Sequence, residues 1–258
     1  MPEPNGTDAA LPGDGSGRVR LPAIVACLLI FTLLAWLAGR ELMADITLSI
    51  AYQEAASGDR RSPAEKWSQA GQYFTTSLRF SPRNPYTLEA FGAHEITGMR
   101  SGHDVSRSPN DILKSAIDRL HAALRERPTS PNAWANLALA KLFLAEFDEE
   151  LFRAIRHADE LAPWEFEIQR AVLIASLGAW MKLDASQQAA TSQTVARAAQ
   201  RDLPALGRLL RTFQRLDLLC DNPEAPPKAQ DYCRSLPQPA APIPVPPREA
   251  HPNRAGRR

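Results

Sequence analysis

The segment from Pro131 to Pro163 leaves the chain little freedom, because two amphipathic stretches bounded by prolines are joined only by the short link Ala145 to Phe147. In the first stretch, Trp134, Leu137, Ala138 and Leu142 fall on one face of a 3.6-residue period. Pro131 suits the first helical position, where its missing N–H costs nothing. The second stretch opens on Asp148, a residue that caps free N–H groups, and carries Leu151, Phe152, Ile155, Ala158 and Leu161. So short a link folds the two helices back on one another. The hairpin then keeps an apolar face that only neighbours of its own kind can cover.

Such neighbours are present. Residues 78–93, LRFSPRNPYTLEAFGA, align without gaps to residues 124–139, LRERPTSPNAWANLAL, at an offset of 46 residues. A shift of 34 residues, the tetratricopeptide period, carries Trp134, Leu137 and Ala138 onto Ile168, Ala171 and Val172. Residues 131–163 resemble a tetratricopeptide repeat in their large fourth residue (Trp134), the Leu137-Ala138 pair, Phe147-Asp148-Glu149 at the bend and the closing proline. Glu150 stands where a small residue is expected, and a shift of one residue that brings in Leu151 and Ala154 restores the pattern. The extra residues of the longer offset fall in the polar stretch Thr97 to Pro109, predicted as a loop between helices 85–97 and 109–127. That loop is either a tolerated insertion or a contact surface.

Upstream, residues 21–39, LPAIVACLLIFTLLAWLAG, contain no charge. At about 1.5 Å per residue they span close to the ~30 Å hydrocarbon core of a bilayer, so a transmembrane helix is predicted. A cleaved signal peptide has a shorter apolar region, about 7 to 15 residues, ending on a small-x-small site. Arg18 and Arg20 precede the span, whereas Arg40 follows it and is offset by Glu41 and Asp45. That bias favours a cytoplasmic N-terminus in the inner (cytoplasmic) membrane and a periplasmic repeat domain.

The expected order is a disordered cytoplasmic tail (1–20), a membrane anchor (21–39), a helical repeat domain (40–222) and a proline-rich basic tail (223–258). Pro242 to Pro247 favour polyproline II. Nine helices are expected: the anchor continuing to near Gly58, then 63–80, 85–97, 109–127, 131–143, 148–161, 164–180, 185–200 and 203–219. The fold class is all-α, a tetratricopeptide-like antiparallel helical-hairpin solenoid on a single N-terminal transmembrane helix.

Thirty basic against 29 acidic side chains give a formal net charge of +1, so no bulk field draws the chain to nucleic acid, and none is expected as a partner. Cys220 and Cys233 are either two unrelated thiols or, outside the cytoplasm, a disulfide. No HExxH, CxxC or glycine-rich phosphate loop occurs. His103-Asp104 is an isolated pair, and the acidic run Asp148 to Glu150 begins a helix, where the dipole favours negative charge. No catalytic residue, cofactor or metal is therefore expected, and the chain reads as a non-enzyme. In repeats of this kind the first helices line the concave surface. Carried over, that places Asn132, Ala135, Leu139 and Phe143 beside Phe166, Gln169 and Leu173, either as a groove for a partner or as a face buried on another helix.

The stretch RPTSPNAWANLALAKLFLAEFDEELFRAIRHADELAPWEFEIQRAVL, followed downstream by Cys220 and Cys233, resembles the VpsP family of bacterial polysaccharide-biosynthesis proteins. The order of short polar start, anchor, repeats and Cys-containing end is similar too. The resemblance implies a scaffold or adaptor in exopolysaccharide biosynthesis or export, with partners among the proteins of that complex. The alternatives are an assembly factor for another envelope process and an enzyme with its site in the concave face.

Overall fold

The computed structural model describes residues 17–56, 62–104 and 107–236, with side chains from Pro22 onward. The expected disordered tail therefore lies outside the described residues as far as residue 16, as does all of Pro242 to Pro247. Eleven helices form among the described residues, and no strand. They are α1 (Gly17–Ala56), α2 (Pro63–Phe80), α3 (Pro85–Ser101), α4 (Pro109–Glu126), α5 (Pro131–Phe143), α6 (Glu149–Leu161), α7 (Phe166–Gly178), α8 (Ala185–Arg201), α9 (Leu203–Thr212), α10 (Asp217–Cys220) and α11 (Pro227–Ser235). α1 already begins at Gly17, inside the segment expected to be disordered, and runs unbroken for 40 residues.

The same device starts four successive helices. Ser62, Asn84, Ser108 and Ser130 each accept a backbone N–H of the following first turn, and each is followed by a proline at the first helical position. The side chain satisfies one orphan donor, and the proline has none to satisfy. Asp148 caps α6 through the Leu151 N–H at 3.0 Å, and Asp184 closes a capping box with Gln187 on α8. Start positions are consequently sharp.

The helices pair antiparallel, α1 with α2, α3 with α4, α5 with α6 and α7 with α8, and the first members stack, α3 on α5 and α5 on α7. This is a tetratricopeptide-like solenoid. Leu151 and Ala154 are both fully buried, so the second helix of the central hairpin is indeed shifted by one residue. One buried chain of hydroxyls ties three helices together. Ser77 Oγ donates to the Ala44 carbonyl at 2.8 Å, which leaves Thr87 to donate to Ser77 Oγ at 3.0 Å. Residues 22–39 of α1 are exposed along their whole length, and α1 is long and apolar enough to cross a membrane.

Three expectations need correcting. The loop expected from Thr97 to Pro109 is shorter, because α3 continues to Ser101 before Gly102 ends it at φ +67°. The single helix expected over 203–219 is two, α9 and α10. Gln214 turns left-handed at φ +56°, and the Gln214 and Arg215 N–H groups donate back to Arg211 and Leu210 at 3.0 and 2.8 Å. This is a Schellman ending with glutamine where glycine is usual, and Ala145 ends α5 the same way at φ +57°. The turn brings Leu218 and Leu219 into a cluster with Val195 and Ala198 of α8.

The tail expected from residue 223 is likewise folded at its start. Ala229 of α11 is fully buried in that cluster, and Cys220 and Cys233 are joined by a disulfide across Cα atoms 5.7 Å apart.

Three measurements follow on the folded domain. Ala145→Gly and Gln214→Gly remove a left-handed Cβ and are expected to raise stability by about 1 kcal/mol each, whereas Leu137→Ala should cost about 2–5 kcal/mol. Urea unfolding reads both, and destabilisation by either glycine would contradict the turn geometry. Reduction of Cys220–Cys233 is expected to lower stability by up to about 3 kcal/mol and to expose α11 to limited proteolysis. Equal cleavage with and without reductant would show that packing alone holds it.

Candidate interaction groove

The first helices of successive pairs present their inner faces to a groove. On α3 the stripe Glu89, Ala93 and Thr97 recurs every fourth residue, and on α5 Asn132 and Asn136 do the same, so each set lies along one face. With Tyr52 and Ala55 from the end of α1 they line a cavity of about 490 Å³. Ala93 is short enough to leave that volume open. Tyr52 stands half-exposed at the rim with its ring edge toward Phe74, centroids 6.0 Å apart. Glu89 accepts a short hydrogen bond from Ser130 Oγ, the residue that caps α5, and so locks the two groove helices together. Burial pushes the Glu89 carboxyl up, and the Ser130 hydroxyl and nearby Arg127 only partly pull it back.

The seven residues expected on the concave face divide. Asn132 is exposed in the groove, and Phe143 and Phe166 are half-buried, with the Arg100 guanidinium 5.5 Å above the Phe143 ring. Ala135, Leu139, Gln169 and Leu173 are buried. Ala135 packs with Ala158, Ile168 and Val172, Leu173 joins the cluster around α8, and Gln169 donates Nε2–H to the Pro163 carbonyl at 2.6 Å. These four serve packing and offer nothing to a partner. Tyr52, Glu89 and Asn136 were not expected. The four-residue spacing of Asn132 and Asn136 was the available signal.

A second cavity, about 620 Å³, opens between α2 and α4 with α3 as its floor, and Trp67 and His94 line both it and the groove. At its base Glu95, 2% exposed, accepts from Arg107 Nη1 at 2.9 Å and Ser115 Oγ at 3.0 Å, with Arg119 Nε 3.6 Å away. Asp104 accepts from Arg107 at 2.8 Å and so joins this ion cluster, whereas the His103 ring lies beside Trp67, centroids 5.8 Å apart. No group of three or more potential metal ligands occurs among the described residues. His94 stacks on Trp67, centroids 3.5 Å apart, and donates Nε2–H to the Trp67 carbonyl at 3.1 Å. Burial outweighs that bond and the nearby Asp104 charge, and the His94 pKa is pushed down to about 4.

The acidic run at the α6 start also has a structural role. Glu146, Asp148 and Glu150 surround buried Lys141 at 3.1, 2.8 and 2.9 Å. Burial lowers the Lys141 pKa, but the three carboxylates outweigh it and hold the ammonium well above its usual value. Trp134, on the apolar face of α5, is half-buried against α6 and donates Nε1–H to the Pro128 carbonyl at 2.8 Å.

An unfolded histidine takes its proton near 6.5, and His94 in the fold only near 4. Its stabilising contribution is therefore complete above about pH 6.5 and declines as the pH falls toward about 4, by about 3 kcal/mol in all. Glu89, with its pKa raised, acts in the opposite sense, so the informative quantity is the difference between the native chain and His94→Gln. Melting temperatures between pH 7 and pH 4 are expected to converge as the pH drops. Parallel curves would show that His94 is not the titrating group.

No protein-family model and no curated protein matches the chain. Solved structures similar to it include TTC0263, a thermophilic TPR protein of Thermus thermophilus, with TM-score 0.48 and 13% identity, covering 74% of this chain and 97% of that one. MamA MSR-1 C2 gives TM-score 0.35 and 14% identity over 67% of this chain and 98% of that one. A further structure of MamA protein gives 0.29 and 15% over 67% and 96%. The tetratricopeptide-like description of this chain rests on its own helix pairs and the way they stack.

Proposed function

We propose that the chain is a membrane-anchored, non-enzymatic scaffold that holds a segment of a partner protein in the groove between α1, α3 and α5. The observation that carries this is the groove lining. Tyr52, Thr97, Asn132 and Asn136 make no side-chain hydrogen bond among the described residues, yet they stand together on three helices whose positions are locked by caps and buried hydroxyls. Carboxamides and hydroxyls set on rigid elements match the alternating donors and acceptors of a peptide backbone.

Two further features support the placement we read. A disulfide between Cys220 and Cys233 belongs to an oxidising compartment, and the basic residues before the span favour a cytoplasmic N-terminus. Both support an inner-membrane anchor with the repeat domain in the periplasm. The process, exopolysaccharide biosynthesis or export, is supported by the resemblance of residues 127–173 to the VpsP family.

The test is recovery of crosslinked neighbours from membranes carrying the full-length chain. Polysaccharide polymerase or export components are expected, and Asn132→Ala with Asn136→Ala should reduce their recovery about tenfold through two lost hydrogen bonds. Capture of a different envelope assembly machine would move the scaffold to that process. Unchanged recovery by the double variant would sink the groove, and glycan turnover by the purified domain would sink the non-enzymatic reading.

A further inference from the structure

α1 changes character at a single residue. From Pro22 to Gly39 every side chain is exposed and none is charged, while Arg40 is the first to be partly covered, and Ala44, Thr47 and Ala51 beyond it are buried. Arg40 thus marks the level at which the exposed half of the helix meets the repeat domain. Antiparallel pairing then returns other chain ends to the same level. Arg40 Nε and Nη2 donate to the Phe80 carbonyl, the last residue of α2, at 3.1 and 2.7 Å. Next along the chain, Ser81 Oγ donates to Glu41 at 3.1 Å. α4 ends alongside, with Glu126 4.0 Å from Arg83 and the Arg127 guanidinium 4.7 Å above the Tyr86 ring.

Within this ring of charges lies a cavity of about 270 Å³ lined by Leu37, Arg40, Glu41, Ser81, Pro82 and Arg83. Three of these residues come from α1 and three from the turn between α2 and α3. Arg40 leaves Nη1 without a hydrogen bond among the described residues, and its guanidinium lies 4.9 Å over Trp36. The Arg83 side chain is 88% exposed, its contact to Glu126 is long, and Glu41 is already bonded to Ser81. Arg40 and Arg83 face Glu41 and Glu126, and Arg127 lies near Glu89 as well, so the cavity offers an anion the open Arg40 Nη1 and the exposed Arg83 rather than a local excess of positive charge. Tyr86, 57% exposed, stands at the same level, where an aromatic ring with a polar tip fits a membrane–water interface.

We propose that this cavity takes the phosphate of an anionic phospholipid, held between Arg40 and Arg83 with an acyl chain beside Leu37. The assignment rests on the reading of residues 22–39 as a membrane span. Guanidinium groups are suited to it because their planar donors match phosphate oxygens, and the low-dielectric side of the junction strengthens the attraction. The ring of arginines also presses the first two turns between helix pairs toward the headgroups.

Native mass spectrometry of the detergent-purified full-length chain tests this. Titrated with phosphatidylglycerol, phosphatidylcholine or inorganic phosphate, the chain is expected to retain phosphatidylglycerol several-fold better than the other two. Arg83→Gln, at an exposed position, should leave the helices intact by circular dichroism and cut that retention about fivefold, the effect of one arginine beside an anionic surface. Arg83→Lys should keep most of it. Equal retention of the two lipids, or no effect of Arg83→Gln, overturns the site, and inorganic phosphate retained as well as phosphatidylglycerol overturns the lipid assignment. Alkaline carbonate extraction of native membranes tests the span separately. Loss of the chain to the wash overturns the span, whereas a retained chain without lipid preference overturns only the site.

Discussion

Helices come into close contact only where no side chain holds them apart, and this array depends on such places. Ala44, Ala51 and Ala70 in the first pair, Ala116 and Ala138 in the next two, and Ala154, Ala158 and Ala175 beyond are all fully buried. Gly92 lies so close to Leu120 that a Cβ there would stand 2.9 Å from its Cγ. Packing at this density leaves no slack, so each helix inherits its position from the one before. The Ser77 hydroxyl reaches two other helices only because Ala44 lets α1 and α2 meet. The groove is open for a related reason, since Ala90 and Ala93 are small where α3 faces it.

Buried charge is spent on register. Glu95 of α3 meets Arg107 and Arg119, Lys141 of α5 meets the first residues of α6, and Asp159 of α6 meets Arg197 of α8 at 2.6 Å. Each set joins two different elements. Desolvation offsets much of the attraction in such pairs, so their net contribution to stability is small, yet any sliding of one helix past another strands an unpaired charge. Apolar contacts hold the helices together while these pairs decide which turn faces which.

Much of this architecture was legible in the residues because its punctuation is local. Ser62-Pro63, Ser130-Pro131 and Asp148 act through hydrogen bonds within one turn, and the helices they start begin within a residue of where the pattern puts them. The break at Gln214 was not legible, since a left-handed ending without glycine or asparagine carries no signature and the apolar period of Leu206 to Leu219 runs straight through it. α11 was hidden by its prolines, and it folds because Ala229 and Cys233 find partners distant in sequence. The groove was half legible. A 3.6-residue stripe marks Asn132, Ala135 and Leu139 alike, but does not say which of them the next helix will cover. Glu89 and Tyr52 enter only because α1 and α3 are brought together in space.

The unbroken run of α1 from Gly17 to Ala56 has a mechanical consequence. In the anchored form proposed above, one rigid rod is both the span and the first wall of the groove. Its soluble half is about 25 Å long, so a tilt of about 20° within the bilayer sweeps the far end of the groove by roughly 9 Å. A thicker or thinner bilayer would thus re-aim the groove, and a partner seated in it would work the same lever in reverse.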